Sequence, residues 1–155
     1  MKRILKSTAA CLLAAVLALE TGCGAVGRKG EEIVVCADSK FGRAAQSLAE
    51  AYSGRDAKVD FVFDTTEALT VRIENGERAD LLVLYGITPA DKLRDHRLID
   101  NYAVFAGAKT AKGTVALTMA KPLSSHSYAQ AQKFADFIMS DEGQVILKKS
   151  GYSSR

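Results

Sequence analysis

Ile33-Val34-Val35-Cys36-Ala37-Asp38-Ser39 and Val59-Asp60-Phe61-Val62-Phe63-Asp64-Thr65-Thr66 decide how this chain folds. Each reads as a buried strand that runs directly into a polar, hydroxyl-bearing turn, and residues with helical periodicity follow each one. In a parallel sheet both turns lie at the carboxyl edge, where helix N-termini present unpaired N–H groups and where open α/β folds bind ligands. The two turns therefore mark one edge of the fold as a candidate binding site.

Outward from these stretches, apolar runs alternate with helical patterns. Strand one is expected over about 33–37, followed by a helix over about 40–53 with Phe41, Ala45, Leu48 and Tyr52 on one stripe and Gly54 as its stop. Strand two covers about 58–63, and the helix over about 66–75 turns Leu69 and Ile73 inward before ending at Asn75-Gly76. A third strand over about 80–84 is nearly all apolar, as a central parallel strand is. Thr88-Pro89-Ala90-Asp91 supplies an N-cap and a helix-starting proline. The stretches 101–106 and 114–119 read as two further strands around a Gly/Lys/Thr turn, either paired as a hairpin or set apart. Helices over about 126–139, with Ala131, Phe134, Ala135 and Ile138 on one face, and about 141–149 end the chain, with Ser140 as the cap between them. The alternation predicts an α/β fold with a mostly parallel five-stranded sheet.

The first 22 residues are of another kind. Lys2, Arg3 and Lys6 precede an acid-free apolar stretch from Ala9 to Leu19, the pattern of a secretory signal and too short for a membrane span. Leu19-Glu20-Thr21-Gly22-Cys23 is similar to the cleavage site of a bacterial lipoprotein, although Leu19 stands one place earlier than in the usual pattern. The expected organisation is a signal over 1–22, a tether over 23–31 lipidated at Cys23 and held to the membrane, and one domain over 32–155. The expected location is extracytoplasmic, in the periplasm.

Lys2, Arg3, Lys6 and Glu20 fall in the signal, so 18 of 21 basic and 17 of 18 acidic residues remain, a net charge of +1. With no basic run or aromatic-interleaved stripe, nucleic acid is not an expected partner. Cys36 sits alone in an apolar strand and reads as core. If Cys23 carries no lipid, a Cys23–Cys36 disulfide stays open in an oxidising compartment. Two histidines and no Cys-x-x-Cys leave no metal framework, and no cofactor is expected. His96 lies in the charged run Arg94-Asp95-His96-Arg97 and His126 near a helix start, so neither is set against a nucleophile, and no catalytic residue is expected.

Taken in order, the chain resembles the substrate-binding proteins of ABC importers, and within them the periplasmic molybdate-binding proteins. Val35-Cys36-Ala37-Asp38-Ser39 stands where that family has a strand ending in small residues and a serine, and Glu74-Asn75-Gly76-Glu77-Arg78-Ala79-Asp80-Leu81-Leu82-Val83 is similar to its helix end, Gly turn and "Ala-Asp" strand start. The run from Asp136 to Tyr152 is similar to its closing helix and Tyr/Phe signature and is the most specific stretch. The resemblance implies a three-layer lobe of the periplasmic-binding-protein fold. It also implies a missing second lobe, because Leu98-Ile99-Asp100 passes almost directly into the returning segment from Asn101. The implied ligand is a small oxyanion, molybdate or tungstate, and the implied partner an ABC permease. The alternative is an interaction module or homodimer that has lost transport and binds another envelope protein.

By position in the family, Ser39 and Thr66 match hydroxyl donors to the oxyanion, with Asp38, Thr65 and Tyr85 at the same edge. Ser and Thr in such places are also favoured helix caps, which is the commoner role. Asp38, Asp64 and Glu67 stand where the family has small or hydroxyl residues, so the acids themselves are candidates to take the place of the anion, and Asp64 to Glu67 has the spacing of a capping box. Lys40 and Arg43 would offset part of that charge, or lie solvated on the helix surface. Convergence of the three acids on a hard cation is a further alternative, with no recognised metal spacing behind it.

Overall fold

The computed structural model describes residues 31–154. β1 (Glu31–Asp38) leads through one turn of 3-10 helix (Ser39–Phe41) into α1 (Gly42–Tyr52), β2 (Ala57–Asp64) into α2 (Thr66–Glu74), and β3 (Leu81–Tyr85) into α3 (Thr88–Asp95). β4 (Ile99–Thr110) and β5 (Gly113–Pro122) pair as a hairpin, followed by α4 (Tyr128–Met139), α5 (Asp141–Lys149) and β6 (Tyr152–Ser154). The signal, Cys23 and the tether up to residue 30 lie outside the described residues.

One six-stranded sheet runs in the order β2-β1-β3-β5-β4-β6. β1 pairs in parallel with β2 and β3, whereas β5 is antiparallel to β3 and β4, and β6 is antiparallel to β4. The expected α/β architecture is present, but the sheet is mixed rather than mostly parallel in its pairings and has six strands rather than five. A tight connection at Thr110-Ala111-Lys112-Gly113, with Gly113 at φ 121, returns the chain beside β4 and forces the antiparallel pairing. β6 is only three residues long, too short for periodicity to register.

Side-chain alternation along the strands builds two cores. Ile33, Val35 and Ala37 of β1 and Leu81 and Val83 of β3 face α1, α4 and α5, whereas Cys36, Leu82 and Leu84 face α2 and α3. The result is three layers, with helices on both faces of the sheet. Burying Leu48 or Phe134 completely contributes about 1.5–3 kcal/mol each. Tyr52 packs edge-on against Phe134, ring centroids 5.0 Å apart, so the apolar stripe predicted for the first helix meets the one predicted near the end of the chain.

Helix starts differ from expectation in four places, one being α4, which begins at Tyr128 rather than about 126. The 3-10 turn delays α1 to Gly42, Ile87 rather than Thr88 is the N-cap of α3, and Thr65 rather than Asp64 caps α2. Ser140 caps α5 as expected, its hydroxyl accepting from the Gly143 N–H at 3.3 Å. Gly143 itself lies so close to the carbonyls of Phe137 and Ile138 that a Cβ there would collide with backbone.

The other end of the sheet is tied by a fully buried carboxylate. Asp80 accepts from the Val34 N–H (3.0 Å), the Ser125 hydroxyl (2.9 Å) and the N–H groups of His126 (3.1 Å) and Ser127 (3.2 Å). Burial pushes its pKa up, but the hydrogen bonds from Val34, Ser125 and Ser127, with the Arg78 charge, outweigh that and hold it below the ordinary aspartate value. This is the aspartate of the "Ala-Asp" strand start, and its work is to join β1, β3 and the loop before α4.

Candidate functional site

β1 and β2 end side by side in register, Asp38 beside Asp64, and β3 ends one strand further along at Tyr85. The two polar turns singled out in the sequence thus do meet at the carboxyl edge. Asp38 is an even-numbered residue of β1, so its side chain leaves on the Cys36 face, toward the start of α2.

There Asp38 is 4% exposed and fully engaged. Its Oδ1 accepts from the Lys40 N–H at 3.0 Å, and its Oδ2 accepts from the Thr66 N–H at 2.9 Å and the Thr66 hydroxyl at 2.7 Å. The carboxylate therefore lies against the N-terminal N–H groups of both the 3-10 turn and α2, where a negative charge is favoured.

Thr66, 2% exposed, passes the chain of contacts onward, because its Oγ1 also accepts from the Tyr85 N–H at 2.9 Å. The Tyr152 hydroxyl donates to the Lys40 carbonyl at 2.9 Å and, having spent its proton there, accepts from the Tyr85 hydroxyl at 2.7 Å. Burial, followed by this hydrogen bond and the Asp38 charge, pushes the Tyr85 pKa far above the ordinary tyrosine value. Tyr152 is also raised, by burial first, then by Asp38, against the opposing effect of the bond from Tyr85. The Lys40 ammonium lies 5.3 Å from the centre of the Tyr85 ring.

The other predicted site residues are placed less centrally. Ser39 is exposed and its hydroxyl makes no hydrogen bond to the described residues, so it does not cap a helix; Asp38 takes that position for the 3-10 turn. Thr65 caps α2, accepting from the Ala68 N–H at 3.2 Å. Asp64 accepts from the Thr65 N–H and turns to Arg72, 3.2 Å away, which also pairs with Glu77. Glu67 and Arg43 are exposed. Asp38, Asp64 and Glu67 thus do not converge, and no group of three or more metal-ligating side chains comes together among the described residues. His96 pairs with Glu74 and the His126 N–H binds Asp80, so neither is positioned against Ser39.

The sequence pointed to Asp38, Thr66 and Tyr85, but Tyr152 entered only as part of a terminal signature. Its role depends on β6 folding back beside β4, and three residues leave no pattern for that. A cavity of about 290 Å³, lined among others by Tyr102, Lys121, Tyr128 and Gln132, opens at the other end of β5 and was not foreseen.

No protein-family model matches this sequence, and no curated protein does. Among solved structures, the substrate binding domain of a molybdenum ABC transporter from Clostridium difficile superposes with a TM-score of 0.71 at 13% identity, over 80% of this chain and 99% of that one. The periplasmic molybdate-binding protein of Azotobacter vinelandii gives 0.72 at 9% identity, over 79% and 99%. The sulfate-binding protein SubI of Mycobacterium tuberculosis gives 0.66 at 8%, over 79% and 86%. At such identities the likeness shows the fold: this is the α/β fold of periplasmic substrate-binding proteins, as the resemblance implied. Each of the three is named as a binding protein or a binding domain.

Proposed function

We propose that this chain is an extracytoplasmic lobe of the substrate-binding-protein type whose oxyanion seat is filled by its own Asp38, and that it serves as an interaction module at the envelope rather than as a receptor for free oxyanion. One observation carries this reading: the donors suited to an oxyanion, the Thr66 N–H and hydroxyl and the Lys40 N–H, all point at the Asp38 carboxylate. A second anion about 4 Å from that carboxylate would meet a repulsion on the order of 4 kcal/mol per unit charge at an effective dielectric of 20. The proposed organisation keeps the signal over 1–22 and Cys23 as lipid anchor, and starts the single lobe at Glu31, where β1 begins, rather than at residue 32. In support of the single lobe, Ile99–Thr110 is one strand, with no inserted domain where the resemblance implies the chain would leave for a second lobe.

A second reading, a molybdate or tungstate receptor working with an ABC permease, is favoured by the fold and by the exposed, unengaged Ser39 hydroxyl beside Lys40. Thermal unfolding of the chain from Gly24 onward, which contains both cores, separates the two. A ligand at 100 times its dissociation constant stabilises by about 2.7 kcal/mol. The self-filled seat predicts no shift with molybdate, tungstate, sulfate, phosphate or calcium, and a shift with either of the first two restores the receptor.

A further inference from the structure

β2 is one of the two outer strands of the sheet among the described residues, and no described strand pairs with its free side. An open edge of this kind presents a row of backbone donors and acceptors that templates pairing with another strand. β2 contains no proline, and its pairing with β1 runs residue for residue from Glu31–Ala57 to Asp38–Asp64 without a bulge, so the usual means of blunting an edge are absent apart from charge. Val59 and Phe61 pack on the larger core, Phe61 and Phe63 stack with centroids 5.4 Å apart, and Phe63 is 43% exposed. Lys58, Asp60, Val62 and Asp64 alternate onto the opposite face.

We propose that β2 pairs antiparallel with β2 of a second copy, about a twofold axis perpendicular to the sheet at Phe61. This register sets Lys58 opposite the partner's Asp64, Val59 opposite the partner's Phe63, and Phe61 opposite its own symmetry mate. The Lys58 and Asp64 charges and the aromatic row are then both self-complementary, as an isologous contact requires, and Asp60 falls opposite the partner's Val62. The exposed Phe63 gains an apolar neighbour, and the two sheets become one.

The strand's own charges select this register. With same-face residues opposed, centring on Lys58 or Asp60 sets a like charge against itself, and centring on Val62 sets Asp60 against the partner's Asp64. Centring on Val59 or Phe63 pairs five residues or fewer, against seven for Phe61. Among the described residues, Lys58 is 68% exposed and pairs with the surface acids Glu32 and Asp60, while Asp64 shares Arg72 with Glu77. Both ends of the proposed pair are therefore accessible to a partner. The proposal uses the outer edge of the sheet and does not depend on whether the Asp38 seat binds a ligand.

Sedimentation equilibrium of the chain from Gly24 across a micromolar dilution series tests it. The expected result is a mass approaching twice the monomer's at the concentrated end. Lys58→Asp and Asp64→Lys each set like charges in opposition and are expected to weaken dimerisation at least tenfold, and the double variant Lys58→Asp/Asp64→Lys to restore it. Asp64→Lys also loses the Arg72 contact, so its folding is checked by far-UV circular dichroism, and the exposed Lys58→Asp carries the test should it unfold. Phe61→Cys is expected to cross-link two chains on mild oxidation, and Asp60→Cys is not. A wild-type monomer at every concentration, or a dimer that Lys58→Asp leaves intact, overturns the proposal.

Discussion

The Asp38 carboxylate accepts both the backbone N–H and the hydroxyl of Thr66, at 2.9 and 2.7 Å, from a neighbouring strand-to-helix turn. The two turns that define the carboxyl edge are therefore bound to each other, with the charge supplied by one and the donors by the other. Tyr85 joins the same cluster through its N–H to Thr66 and through its hydroxyl to Tyr152, so the edge is locked across three strands and the last segment of the chain.

The Thr66 hydroxyl is the hinge of that cluster, donating to Asp38 and accepting from the Tyr85 N–H. Thr66→Val keeps the shape and removes the hydroxyl, leaving buried groups unpaired, and is expected to cost about 1–3 kcal/mol. Thr66→Ser is expected to restore most of that. Urea denaturation midpoints of the two variants check it, and equal midpoints would show that the hydroxyl is dispensable.

Asp80 carries the corresponding load at the opposite edge. Its pKa is held below the ordinary value, so its contribution to stability is complete above about pH 4, the unfolded-chain value, and is lost as pH falls through the lower folded value. Asp80→Ala strips the acceptor from four donors and is expected to destabilise by more than about 2 kcal/mol at neutral pH. It should also flatten the acid limb of the stability curve, measured by urea denaturation from pH 6 downward.

Alkali acts in the other sense on the tyrosine pair. Tyr85 and Tyr152 are both raised, so their neutral forms favour the folded chain fully below about pH 10, the unfolded value, and that stability falls as pH rises toward the folded values. Ultraviolet titration of phenolate formation is expected to show late-ionising tyrosines in the folded chain. Tyr152→Phe should bring Tyr85 earlier, since the hydrogen bond between them is one cause of its shift.

Cys36 is 1% exposed, and burial raises its pKa to about 11. In the chain from Gly24 it is the only cysteine, so a thiol-specific reagent at pH 8 is expected to label the protein only after denaturant is added. Rapid labelling of the folded chain would place Cys36 outside the core.

Much of this was legible in the sequence because strand and helix periods differ. The β1, β2 and β3 runs and the stripes of α1 and α4 emerged from alternation and 3.6-residue spacing, and their residues are the ones that meet in the two cores. The antiparallel half was less legible, since a Gly/Lys/Thr turn is compatible with a hairpin or with separate strands until partners are known. At the site, the three acids stood out as candidates for the place of a bound anion, but periodicity did not say which of them would meet the helix N-termini. Parity does not separate Asp38 from Asp64, since both leave their strands on the α2 side; strand position does. Asp64, on the outer strand, meets Arg72, whereas Asp38, on the inner strand, faces the N-terminus of α2. Glu67 follows on the helix surface, turned to solvent.

The most direct measurement is isothermal titration of molybdate into the wild-type chain from Gly24 and into Asp38→Ala. Removing the carboxylate frees the Thr66 and Lys40 donors, so the variant is expected to be less stable by about 1–3 kcal/mol without ligand, and to bind molybdate with a heat signal and a rise in melting temperature that the wild type lacks. Molybdate binding by the wild type, or stronger binding by the wild type than by Asp38→Ala, would contradict the claim that Asp38 holds the place of the oxyanion.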